Sequence, residues 1–247
     1  MNLLPSALVY AGLVSAFVSI ISVIKPIPIR PLRTRRRSLL TLLASFCALI
    51  AGFMFPASET RVEAAQARLD EFVPVYQFNE FHTVRVRASR EQVYAAIRAV
   101  TPSEIRLFKT LTWIGRRGRA TPPSIMNAPD GIPIIDTATH TGFLLLSEDP
   151  GKEIVFGFAM SRKMSAKSPE QFRAFQSQNG ARVAMNFRVE PSGDKECTVT
   201  TETRIYTTGE PAHRVFRAYW RVIYPGSSLI RRMWLRAIRL RAESMAQ

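Results

Sequence analysis

The sequence predicts an α+β domain carried behind a pair of apolar helices. Three patterns support this. Apolar side chains alternate with period two over 81–88, 153–160, 181–190 and 197–205, which is how an antiparallel sheet with one wet face reads. The stretch from Pro211 to Ala246 carries one broad apolar face at helical spacing, through Val215, Tyr219, Val222, Ile230, Met233, Trp234, Ala237 and Ile238. Ahead of both, Ser6–Ile24 and Leu39–Phe55 are uncharged and apolar all round.

At 247 residues with 47% hydrophobic and 21% charged side chains, the chain is too apolar to be disordered. The formal charge of +15 suggests a nucleic-acid binder, but its distribution argues against one. Six basic residues and no acidic residue fall in the first 55 positions, five of them between Arg30 and Arg37. No basic platform interleaved with aromatics is present to stack bases, so nucleic acid is not an expected partner. Cys47 and Cys197 cannot form a disulfide framework, and His82, His140 and His213 match no zinc-ligand spacing. No metal or cofactor is expected, and no GxGxxG, Walker A or HExxH motif occurs.

The expected organisation has three parts. Residues 1–55 form a transmembrane hairpin with spans at about 6–24 and 39–55 joined by a basic loop, 25–38. That loop holds Pro26, Pro28, Pro31 and six cations, which places it on the cytoplasmic face and the rest of the chain opposite. Small residues at every fourth position (Ala7, Ala11, Ser15 and Ser19; Ala44, Ala48 and Gly52) would let the two helices approach closely. Residues 56–74 are expected as a linking stalk whose sequence SETRVEAAQARLDEF reads as a short amphipathic helix. Residues 75–247 form the soluble domain.

Within that domain Phe81–Ala88 is a strand. Ser89 caps a helix with Glu91 and Gln92 in its first turn, and Thr101-Pro102 restarts another. A long connection rich in Gly, Pro and Arg covers 115–133. Ile134–His140 and Gly142–Ser147 read as paired strands, and Glu148-Asp149-Pro150-Gly151 as a turn. Glu153–Met160, Ala181–Glu190 and the strand through Cys197–Ile205 complete the sheet. The insertion 162–180 reads as a short helix capped by Ser168 or as a lid segment. A break is expected in the final helix at Pro225-Gly226.

Four stretches together carry a family resemblance: TVRVRASREQVYAAI, GFLLLSEDPGKEIVFG, RVAMNFRVEPSGDKECTVTTETRI and AYWRVIYPGSSLIRRMWLRAIRLRAE. In this order they resemble the START-like superfamily, also called SRPBCC, helix-grip or Bet v 1-like. It includes polyketide cyclase/dehydrase and lipid-transport domains. The resemblance spans roughly residues 75–245. It departs in the long 115–133 connection, the weak second strand region and the added hairpin. It implies a helix-grip fold, a curved antiparallel sheet around the long C-terminal helix, with a cavity between them for a lipid, isoprenoid, quinone or other hydrophobic small molecule. The cavity wall expected from the inward positions is Phe156, Phe158, Met185, Phe187, Tyr219, Val222 and Met233, with Thr201, Thr203 and His140 as polar contacts. The same residues closing on one another would instead make an ordinary core.

Catalysis has weak support. Asp136 and His140 lie four apart on the expected strand and so share a face, as do Glu80 and His82. Either pair suits general-base work or a plain surface pair. The resemblance admits cyclases and hydrolases, and a protein-interaction module with a filled core is the third reading. Cys197 points inward and reads as an inert buried thiol. Arg214, Arg217 and Arg221 share one helical face, and Arg232, Arg236 and Arg239 another. Both stripes suit a solvated helix face or an anionic lipid surface, so the bilayer is the expected macromolecular partner. Nothing in the sequence names a protein partner.

Overall fold

The computed structural model describes residues 4–193 and 195–247. Contacts divide the chain into two compact units. One holds the residues up to Ser58 together with Arg214–Tyr224, and the other Glu59–His213 with Pro225–Gln247.

In the first unit, α1 (Leu4–Ile24) and α2 (Arg35–Met54) form an antiparallel hairpin, each helix long and apolar enough to cross a membrane. Thr34 caps α2 by accepting from the Arg37 backbone N–H. The contact seam differs from the expected four-residue stripes. Val9, Gly12, Ala16 and Ser19 of α1 are buried, as are Ser38, Ser45 and Gly52 of α2, while Ala7, Ala11 and Ala44 face outward. The seven-residue repeat in α2 keeps one seam in contact over the helix length, which a four-residue repeat does not. Gly52 is required by the packing, since a Cβ there would lie 2.8 Å from Val9 Cγ2. Hydroxyls fasten the rest of the seam: Ser38 donates to Ser22 at 3.0 Å and Ser45 to Ser15 at 2.8 Å.

The second unit is an α+β domain of the helix-grip class. Its elements follow as β1 (Thr60–Arg61), α3 (Arg68–Phe72), β2 (Val75–Tyr76), β3 (Phe78–Val86), α4 (Arg90–Ala99), α5 (Phe108–Gly115), α6 (Ile134–His140), β4 (Leu144–Asp149), β5 (Glu153–Met160), α7 (Pro169–Arg173), β6 (Ala181–Gly193), β7 (Glu196–Thr207) and α8 (Glu210–Met245). β1 and β2 form a small ribbon. The main sheet is antiparallel in the order β3-β7-β6-β5-β4. The strand alternation sets its register, with Val84 opposite Val199, Val189 opposite Val199 and Ile154 opposite Phe187. One face packs against α4, α6 and the C-terminal part of α8 around Ile97, Ile134, Phe156, Phe187, Trp234 and Ile238. Ser89 caps α4 in a reciprocal box with Gln92, as its sequence foretells.

Four expectations are corrected. Ile134–His140 is the helix α6 and not a strand. Ile134, Ile135 and Ala138 gain burial from a helical face, and Pro133 sets the turn that starts it. α8 runs unbroken through Pro225. Proline removes one intrahelical bond, and the flanking turns are pinned by buried Arg221, Ser228 and Arg231.

The expected amphipathic stalk helix shrinks to α3, whose Leu69, Phe72 and Val73 are buried. The second sheet face is accordingly not wet. α3 and α7 cover it through Leu69, Phe72, Phe172, Val155 and Ala184. Ser168 does cap α7, and Phe172 is fully buried, which makes 169–173 a packed helix and not a lid.

Buried polar groups fasten this cover. Glu153 accepts from the Arg68 and Leu69 backbone N–H groups at the start of α3 and from Asn186 Nδ2 at 2.7 Å. Asp70 accepts from the Gln66 and Ala67 N–H groups and from Arg204, at 2.6 Å.

Candidate functional site

The inner sheet face is apolar except along one line. Period two puts Phe78, Glu80, His82, Val84 and Val86 of β3 on that face, and register places Glu80 opposite Thr203 and His82 opposite Thr201. On the far side of β7, Thr201 faces Phe187 and Thr203 faces Met185. Across from them α8 presents Ser227, Ser228, Arg231 and Trp234, neighbours at helical spacing.

These residues form one network. Glu80, with a fully buried side chain, contacts His82 Nε2 at 2.8 Å and accepts from Ser227 Oγ at 2.6 Å. Ser228 Oγ lies 3.4 Å from the same His82 nitrogen. Arg231 donates to Thr201 at 3.3 Å, Thr203 at 2.7 Å and the Met185 sulfur at 2.8 Å, with its guanidinium 5.5 Å from the Trp234 ring centroid. Burial pushes the Arg231 guanidinium below its ordinary pKa, and the charge of Glu80 pulls it back up. A carboxylate and a guanidinium are thus taken out of water, Glu80 held by His82 and Ser227 and Arg231 by two threonine hydroxyls and a thioether, a costly arrangement that removal of one member would make costlier.

The expected cavity wall is packed core in this structure. Phe156 and Phe187 are 0% exposed and packed within the core. The gap is filled by Trp234, 4.9 Å from Phe187 between ring centroids, and by Arg231 beside it. Met185, Thr201 and Thr203 are buried in the same layer, Met233 packs against its margin, and Phe158 stacks edge-on against Phe143 at 5.0 Å. Tyr219 and Val222 are about half exposed and belong to the stretch of α8 grouped with the hairpin.

Asp136 and His140 form no catalytic pair. His140 Nδ1 meets the Asp136 backbone carbonyl at 2.7 Å, while the Asp136 carboxylate turns to Arg98 at 3.2 Å. On a helix the two residues are one turn apart, and His140 is exposed and takes no part in the inner-face network. Cys197 is buried, its thiol 3.6 Å from the Ala88 carbonyl, and burial raises its pKa.

The polar line meets a surface groove at His82. An open groove of about 410 Å3 lies between edge strand β3 and α8, lined by Phe81, His82, Thr83, Val84, Arg232, Leu235, Arg236 and Arg239. The second arginine stripe therefore flanks a groove with apolar stretches and a histidine in its wall. The first stripe behaves differently: Arg221 is buried, donating to the Phe53 and Phe55 carbonyls, and Arg214 and Arg217 lie beside it on α8.

As chemistry, the network is a poor nucleophile activator. Glu80 and Ser228 both meet His82 Nε2, whereas a relay needs the carboxylate on one ring nitrogen and the hydroxyl on the other. Among the described residues no group of three metal-ligating side chains converges. Sequence reasoning paired Glu80 with His82 but missed Arg231, Ser227 and Ser228. The available signal was an arginine flanked at helical spacing by Ser227, Ser228, Trp234 and Leu235, outside both basic stripes.

No family model and no curated protein matches the chain. Solved structures match over most of their length. A conserved protein from Geobacillus kaustophilus is 11% identical, with 69% of this chain and 98% of that one covered and a TM-score of 0.36. The ZhuI aromatase/cyclase from a Streptomyces species is 12% identical over 69% and 96%, TM-score 0.29. Norcoclaurine synthase from Thalictrum flavum is 11% identical over 75% and 95%, TM-score 0.26. No residue role is carried over from any of them.

Proposed function

We propose that the chain is a membrane-tethered START-like domain that binds an amphipathic small molecule with an acidic head group, held in the groove between β3 and α8. One observation carries the reading. His82, hydrogen-bonded to fully buried Glu80, lines that groove beside Arg232, Arg236 and Arg239. Arginine forks suit a carboxylate or phosphate, and Phe81, Val84 and Leu235 suit a hydrocarbon chain. Hydrocarbon burial yields roughly 25 cal/mol per Å2, which the bilayer also offers, so the head group supplies the selectivity.

The tether rests on composition and exposure. Only 28% and 17% of the apolar stretches of α1 and α2 are buried, too little for core helices of a soluble protein. Phe17, Val14, Leu40 and Leu43 all point outward. The exposed cations from Arg30 to Arg37 support a cytoplasmic connecting loop with the domain on the opposite side.

Native mass spectrometry of the full chain released from detergent, titrated with oleate, tests this. The expected result is a saturable one-to-one adduct that Arg232→Glu with Arg236→Glu abolishes. A non-saturable adduct, or one indifferent to those substitutions, contradicts it. The filled interior favours a second reading, a protein-interaction module, and that reading predicts no oleate adduct at all.

A further inference from the structure

The part of α8 grouped with the hairpin carries a surface that ligand binding does not use. Val215, Tyr219 and Val222 recur at i, i+4 and i+7 and are 72%, 52% and 47% exposed, an apolar line on one helical face. Beside it runs a chain of rings: Phe216 contacts Tyr219 at 5.6 Å and Trp220 at 6.2 Å, and Trp220 contacts Tyr224 at 5.8 Å between centroids. Arg214, Arg217 and Arg221 occupy the remaining sector.

Arg221 and Val222 tie the segment to the end of α2 and the second turn of α1. Arg221 donates to the carbonyls of Phe53 and Phe55, groups that the end of α2 leaves without helical partners. Tyr10 of α1 donates its hydroxyl to the Val222 carbonyl. This is the end of the hairpin opposite the basic loop.

We propose that Arg214–Tyr224 lies in the headgroup region of the bilayer, a third membrane-contacting element seated on anionic lipid. The inference rests on α1 and α2 crossing the bilayer. It follows from continuity: a segment clamped to the exit of one span and the first turns of the other sits at the level where those helices leave the hydrocarbon. Aromatic rings and arginines with an exposed apolar line are the composition suited to that depth. With Arg221 engaged by the carbonyls at the end of α2, the partly exposed Arg217 of that sector suits anionic headgroups.

The test is spin labelling of the full chain in phosphatidylcholine–phosphatidylglycerol nanodiscs. Cys47→Ala removes the exposed thiol, and Cys197 is buried and stays unlabelled. Nitroxides are placed singly through Val215→Cys and Val222→Cys, with Leu43→Cys as the mid-span reference and Arg162→Cys as the aqueous one.

The expected result is greater collision with oxygen than with a water-soluble nickel chelate at 215 and 222, at a depth between the references. If 43 reads as hydrocarbon but 215 and 222 match 162, the interfacial placement is overturned while the hairpin still spans. If 43 also matches 162, spanning fails and the placement falls with it.

Discussion

Arg231 Nη2 lies 2.7 Å from Thr203 Oγ1, so a guanidinium from the C-terminal helix stands against the middle of the sheet. Here the space is taken by a cation, its hydroxyl partners and Trp234, and the proposed binding groove lies at the margin of the sheet.

Truncating that side chain should be expensive. Arg231→Ala removes a buried cation that feels the charge of Glu80 and opens a void beside Phe187, for an expected loss of about 3–5 kcal/mol. Arg231→Met refills most of the volume and should cost clearly less. Thermal unfolding followed by near-ultraviolet circular dichroism reads both. A melting shift under about 2 °C for the alanine variant would mean less than 1 kcal/mol and contradict a structural role.

Acid should loosen the covered face of the sheet through Asp70. Burial alone would raise its pKa, but the Gln66 and Ala67 N–H groups and Arg204 outweigh that and hold the carboxyl below its ordinary 3.8. A pKa depressed on folding contributes stability that is fully present above the unfolded value and lost as pH falls through the folded one. Asp70→Asn should therefore destabilise by about 3 kcal/mol at neutral pH, with Arg204 keeping Glu202 as a partner. The gap between the two proteins should narrow below pH 3.8. Melting temperatures measured from pH 7 to pH 2 decide it, and parallel curves would refute the assignment.

Gly157 marks a close approach between strands. A Cβ there would fall 2.3 Å from the Val183 carbonyl oxygen and 2.9 Å from Ala184 Cα, both backbone atoms that cannot turn aside. Gly157→Ala should cost at least about 1–3 kcal/mol and separate β5 from β6 locally. Hydrogen exchange at the Ala184 and Met185 amides should quicken, and unchanged protection would count against the strand pairing described.

The sheet was legible because a period of two survives in β3, β5, β6 and β7 wherever one face meets a common core. The strand expected at Ile134–His140, paired with Gly142–Ser147, is instead a helix. Packing of Ile134, Ile135 and Ala138 on the inner core decided for a helix. The cover of the second face was invisible because it depends on Glu153 reaching the start of α3, some 85 positions away in the chain.

At the candidate site, one shared strand face revealed Glu80 with His82. Arg231 stayed hidden, since nothing local separates a buried arginine from a solvated one among so many on α8. The expected cavity failed for a related reason. Inward-facing Phe156 and Phe187 look alike whether they line a void or fill it, and what decides is that Trp234 and Arg231 settle against Phe187.

Photolabelling tests the central claim most directly. The full chain is irradiated with a diazirine-bearing fatty acid and the modified peptides are mapped. Labels should concentrate within Phe81–Val84 and Arg232–Arg239 and fade under excess oleate. Labels confined to the peptides of Phe156 and Phe187, or none that oleate displaces, would contradict binding in the groove.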